Sequence, residues 1–118
     1  MQNDQWREIL TEFIVYGLLF KAVARDAASM DLVELKLSYR PVLDAISLWA
    51  ERKHHDYRRQ FGRLGGKIHV QETQDGFIYY VLVKVNGIQY ESIYNREILR
   101  AECQERLNRF LLTATQGR

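Results

Sequence analysis

The stretch Lys67-Ile68-His69-Val70-Gln71-Glu72-Thr73-Gln74-Asp75-Gly76-Phe77-Ile78-Tyr79-Tyr80-Val81-Leu82-Val83-Lys84-Val85-Asn86-Gly87-Ile88-Gln89-Tyr90-Glu91-Ser92 decides the fold. Two hairpin signals, Asp75-Gly76 and Asn86-Gly87, flank a β-rich run. A type I′ turn needs positive φ at both central residues, which Asn, Asp and Gly tolerate best. The segment therefore reads as a three-stranded antiparallel meander over residues 67–93. A two-residue turn at Asp75-Gly76 sets Gln74 opposite Phe77, Val70 opposite Val81 and Ile68 opposite Val83. The same turn at Asn86-Gly87 sets Val85 opposite Ile88, Val83 opposite Tyr90 and Val81 opposite Ser92. Side chains alternate along a strand, so Ile68, Val70, Val81, Val83, Val85, Ile88 and Tyr90 share one face. That face is expected to pack on helices. The other face gathers Ile78, Tyr80, Leu82 and Ile93 among His69, Gln71, Lys84, Gln89 and Glu91.

Helical patterns lie on both sides of the meander. The first region spans 4–62, opening at Asp4 as a cap. Trp6, Ile9, Leu10, Phe13, Tyr16, Phe20 and Val23 recur at helical spacing to about Ala28. Between Phe13 and Phe20 the helix is apolar all round, so it is enclosed on several sides, within the subunit or between copies. Asp31 and Glu34 have the spacing of a helix start. Over 31–40, Val33, Leu35, Leu37 and Tyr39 alternate as in a strand, but Leu, Glu and Lys favour helix, which is the expectation. Pro41 breaks what precedes it or sits in the first turn of a new helix. Val42, Ala45, Ile46, Trp49, Tyr57 and Phe61 carry that helix to Gly62. The last helix, 95–114, starts at Asn95 as N-cap and aligns Leu99, Cys103, Leu107, Phe110 and Ala114. The fold class is α+β in one domain, 1–118: two or three N-terminal helices, a three-stranded antiparallel meander and a C-terminal helix.

At 118 residues the chain can bury a core without disulfides or a structural metal. Its single Cys cannot form an internal bridge. The first residues carry acids and no basic run, unlike a secretory signal. The longest uncharged apolar run, Phe13 to Phe20, is far short of the roughly 20 residues a membrane span needs. The expectation is a cytoplasmic location with no membrane partner. The net charge of +2 is uneven. Residues 1–51 hold 5 basic and 8 acidic side chains (−3), residues 52–67 hold 6 and 1 (+5), and residues 68–118 hold 6 and 6 (0).

That middle block carries one candidate site. On a helix Arg52, His55, Arg59 and Arg63 form a stripe, and Arg58 and Lys67 add to it. Such a stripe suits phosphates, although cations at a helix C-terminus also simply complement its dipole. His54 and His55 are adjacent, so they point about 100° apart and lack the i, i+4 spacing of two helical metal ligands. They read as exposed side chains, and no metal is expected. Cys103 lies on an apolar helix face, where a free Cys behaves as a small hydrophobe rather than a nucleophile. Gly62, Gly65 and Gly66 lack the Lys-Ser/Thr of a phosphate loop and precede a strand. No nucleophile–base pair stands out, and neither catalytic residues nor a cofactor are expected. The patch of Ile78, Tyr80, Leu82 and Ile93 is the strongest feature. Apolar residues on a second sheet face need either a covering helix or self-association.

The order α-β-β-β-α over residues 42–114 is similar in topology to the double-stranded RNA-binding domain. That family opens its last helix with lysines. Here Tyr94-Asn95-Arg96-Glu97-Ile98-Leu99-Arg100-Ala101-Glu102 mixes signs and has none. Through Tyr39-Arg40-Pro41, Lys67-Ile68, Tyr79-Tyr80-Val81 and Ile98-Leu99-Arg100-Ala101 the chain also resembles small uncharacterised proteins of Gram-positive bacteria and their phages, a resemblance that implies no activity.

The sequence therefore points to a non-catalytic interaction or regulatory protein. The expected partner is a second copy forming a homodimer, or another protein. Contacts would come from Ile78, Tyr80, Leu82 and Ile93, with Phe13 and Phe20 of the first helix as a second shared surface. The alternative is a nucleic-acid-binding domain using Arg52, Arg58, Arg59, Arg63 and Lys67.

Overall fold

A computed structural model of the chain describes residues 5–30 and 40–116. The element order is α1 (Gln5–Met30), α2 (Arg40–Arg63), β1 (Gly66–Gln74), β2 (Ile78–Val85), β3 (Ile88–Asn95) and α3 (Arg96–Gln116). The fold class is α+β as expected. Asp4, and the stretch 31–39 read as helix, lie outside the described residues. Pro41 occupies the first turn of α2, where its missing N–H has no intrahelical acceptor to lose.

The strands form one antiparallel sheet in the order β1-β2-β3. The second hairpin follows the sequence reading: Val85 pairs with Ile88, Val83 with Tyr90 and Val81 with Ser92. Asn86 and Gly87 both hold positive φ, 52° and 84°. The first hairpin departs from it. Asp75 and Gly76 also hold positive φ, 54° and 76°, but Phe77 joins the turn and Gln74 pairs with Ile78. The strand is thereby displaced by one residue, and Val70 faces Leu82 instead of Val81. A bulge between Ile68 and Val70 absorbs the extra residue and restores Ile68 opposite Val83. A one-residue slip moves a side chain to the other face. Val70 thus leaves the helix-covered face, a correction to the expected pattern, and Gln71 takes its place opposite Val81.

All the buried sheet residues lie on the face that meets the helices. Val81, Val83 and Val85 are buried against Trp6, Leu10, Phe13 and Ile14 of α1, with Phe61 of α2 and Leu99 of α3 closing the sides. Ile88 was expected there too, but at the turn it stays 58% exposed. The helix that fills the core lies outside the residues 42–114 on which the RNA-binding-domain topology was drawn. A second cluster joins Tyr16, Leu19 and Val23 to Ile46 and Ala50, with Trp49 stacked on Phe110 at 4.3 Å. The all-round apolar segment of α1 is therefore enclosed within the subunit. Phe13 is 5% exposed and Phe20 is half-buried in the second cluster.

Two polar devices fix the helices. Asn95 caps α3: its Oδ1 accepts from the N–H of Glu97 at 2.8 Å and of Ile98 at 3.2 Å. The other device is Arg106, 6% exposed between α1 and α3. Its guanidinium donates to both carboxylate oxygens of Glu12 and to Glu102, and lies 6.0 Å from the Tyr16 ring. These carboxylates hold its pKa well above the ordinary arginine value. A buried charge needs such pairing.

Candidate functional site

The uncovered face of the sheet is the first candidate. On β2 it presents Ile78, Tyr80, Leu82 and Lys84. Register places Val70 and Glu91 beside Leu82, and Glu72 and Ile93 beside Tyr80. Ile78, Tyr80, Leu82 and Val70 are half-buried by their neighbours alone, and Ile93 is 65% exposed. None of the five joins either buried cluster. Among the described residues no helix covers them. The sequence patch is thus brought together on one surface, enlarged by Val70, which the bulge delivers. The Tyr80 hydroxyl donates to Glu91 Oε2 at 2.6 Å, which ties it to β3. Lys67 and Lys84 pair across the strands at one end, with Glu72 and Glu91 nearer the middle.

Arg52, His55, Arg59 and Arg63 are all exposed on α2 at the spacing of one helix face. Arg59 is ion-paired with Asp56, and His55 lies 3.7 Å from Glu51. Arg52 and Arg63 are exposed, while Arg58 and Lys67 converge on a cleft of about 720 Å³ between α2 and β1. The consecutive residues 66–71 of β1 form one wall, and His54, Arg58 and Phe61 stand opposite. A recess of about 70 Å³ continues past His54 to Lys21 and Tyr79.

His54 was expected to be exposed. Instead it is half-buried against α1, its ring stacked on Phe13 at 4.2 Å. Nδ1 lies 2.9 Å from the Phe13 carbonyl oxygen. A carbonyl only accepts, so Nδ1 carries the proton and neutral His54 presents a bare Nε2. Burial holds its pKa below the ordinary histidine value, helped by the positive charges of Lys21 and Arg58. Gly17 makes the approach possible: a Cβ there would sit 2.8 Å from the ring. The signal was present in sequence, because Ile46, Ala50, His54, Tyr57 and Phe61 follow at four, four, three and four residues. Arg106 was missed likewise: Leu99, Cys103, Arg106 and Phe110 repeat at four, three and four.

Cys103 is half-buried, its Sγ 3.5 Å from the Val15 carbonyl, and burial pushes its thiol pKa up, away from the reactive thiolate. Among the described residues no group of His, Cys, Asp and Glu could hold a metal ion, and no helix is long and apolar enough to cross a membrane. A further hollow of about 590 Å³ involves Arg7, Glu8, Glu12 and Arg109, but its charges are mixed; Glu12 is engaged by Arg106 and Arg109 by Glu105.

The model of a protein family described as YhjD protein matches residues 1–115 of the chain. No curated protein and no solved structure matches it.

Proposed function

The chain belongs to the YhjD family, and we propose that it is a non-catalytic interaction protein that pairs with a second copy of itself through the open face of its sheet. The observation carrying this reading is the apolar group of Val70, Ile78, Tyr80, Leu82 and Ile93 on a face that no described helix covers. Such a group has the composition of an interface centre, apolar with one aromatic, rimmed by polar residues.

Charge favours a copy of the same chain. A two-fold axis across the strands lays the Lys67–Lys84 end of one copy over the partner's Gln74, Ile78 and Asn95, which carry no cation. It also brings each lysine pair toward the partner's carboxylates and stacks Leu82 over the partner's Tyr80. An axis along the strands sets lysine over lysine and is disfavoured. Phe13 and Phe20 have no part in this contact, being used inside the subunit.

The face is small. Strands of about eight residues at about 3.3 Å each, with three strands about 4.8 Å apart, give a plan area of about 380 Å². A standard interface buries about 800 Å² per partner. The pairing is therefore reversible and concentration-dependent. Leu82→Asp tests it. Losing one buried leucine contact removes about 1.5 kcal/mol, and a two-fold contact repeats the loss. The total of about 3 kcal/mol weakens association more than a hundredfold. The expected result is a folded monomer. A variant that keeps the wild-type association refutes the reading.

A further inference from the structure

We propose that the cleft between α2 and β1 binds a small phosphate-bearing anion of nucleotide size. Three features of the cleft converge on this chemistry. The first is charge: Arg58 and Lys67 line the cleft, Lys21 lines the recess that continues it, and no acid lines either. Among the described residues none of these three is ion-paired, unlike Arg59, Arg100, Arg106 and Arg109. Like charges left unneutralised around a concavity raise the local potential and attract an anion.

The second feature is donor geometry. The Tyr79 hydroxyl donates to Gln71 Oε1 at 3.1 Å, which engages the amide oxygen of this cleft-lining residue and leaves its NH₂ to donate elsewhere. Guanidinium, ammonium and amide are all donors, the set that holds phosphate oxygens. The bulge between Ile68 and Val70 sits in the middle of this wall. It places the extra residue, His69, outside the regular pairing, and bulges re-aim side chains in this way beside binding sites.

The third feature is shape. A cleft of about 720 Å³ lies within the range of small-molecule sites, roughly 300–1,000 Å³. Its polar groups lie beside the apolar side chains of Phe61 and Ile68, which suits a ligand with an organic body as well as a phosphate. The site shares Lys67 with the rim of the face proposed above for self-association, and the Leu82→Asp variant, which leaves Lys67 in place, separates the two.

The test is titration calorimetry at low salt with inorganic phosphate, AMP and ATP, on wild type, Arg58→Gln, Lys67→Gln and Leu82→Asp. Wild type and Leu82→Asp are expected to bind AMP or ATP more tightly than inorganic phosphate. Arg58→Gln and Lys67→Gln are expected to weaken that binding tenfold or more, with unchanged unfolding midpoints. A duplex RNA of 16 base pairs is titrated alongside. Three results overturn the proposal: no binding of any probe at millimolar concentration, nucleotide binding indifferent to both cleft variants, or tight RNA binding without nucleotide binding. The last would instead assign the basic residues to an extended nucleic-acid surface.

Discussion

Replacing Gly17 by Ala sets two physical rules against each other. In an exposed helix interior, Gly→Ala stabilises by about 1 kcal/mol, because glycine has the greater backbone freedom to lose on folding. Gly17 is buried, and its added methyl would sit 2.8 Å from two atoms of the His54 ring. The ring has little room to yield. It is held by the hydrogen bond from Nδ1 to the Phe13 carbonyl at 2.9 Å and by stacking on Phe13 at 4.2 Å. Overpacking of this kind costs about 1–3 kcal/mol, and displacing the hydrogen bond adds about 1 kcal/mol. The expected net effect is a loss of about 2 kcal/mol, or about 8 °C in Tm for a domain of this size. Urea unfolding followed by circular dichroism measures it. His54→Ala makes the internal control: with the ring gone, Gly17→Ala should stabilise by up to about 1 kcal/mol. If Gly17→Ala stabilises the wild-type protein, or behaves identically in both backgrounds, the packing argument is wrong.

Glu12→Ala leaves Arg106 buried with its bidentate partner gone. It should cost about 3 kcal/mol, the low end for breaking a buried pair because Glu12 is partly exposed and Glu102 remains. A loss below about 0.5 kcal/mol in urea unfolding contradicts the buried-pair account, since that is the scale of a surface pair. The acid response tests His54. Its pKa is depressed in the folded state, so as pH falls the unfolded chain takes up the proton first and folding weakens. The contribution is intact above the ordinary value of about 6.5 and is lost progressively below it. Urea midpoints should therefore decline between about pH 7.5 and about pH 5.5, and His54→Gln should flatten that decline. An unchanged slope would show that other groups set it. Asn95→Ala removes the acceptor for two N–H groups of α3 and should cost about 1 kcal/mol by urea unfolding; no measurable loss would show that the cap adds nothing to stability.

Much of this architecture was legible because the decisive signals are local. Asn86-Gly87 fixed a two-residue turn and with it the pairing of β2 and β3. Asn95 announced the start of α3 by its side-chain chemistry alone. The first hairpin was harder, because Asp-Gly also serves three-residue loops, and nothing in Gln74 or Phe77 distinguishes the two. The consequence was one residue of slip, which the bulge beside His69 cancels before the sheet's open end. Val70 changed faces as a result. The patch of Ile78, Tyr80, Leu82 and Ile93 was legible from alternation on β2 and β3, whose register held. The α2–β1 cleft was not, because it needs tertiary placement: Arg58 and Lys67 are nine positions apart across a helix end and a turn. His54 was read as a surface group by residue type and Arg106 was passed over, when their spacing placed both on core faces. Residue type misleads there because glycine makes room for one and a carboxylate neutralises the other.

The central claim is tested most directly by the mass of the wild-type chain in solution, measured by light scattering or sedimentation equilibrium over a wide concentration range. The account predicts a reversible rise from the 14.0 kDa chain mass toward twice that value, and loss of the rise in Leu82→Asp. A mass that stays at 14.0 kDa at every concentration, or an association that Leu82→Asp leaves untouched, would contradict it.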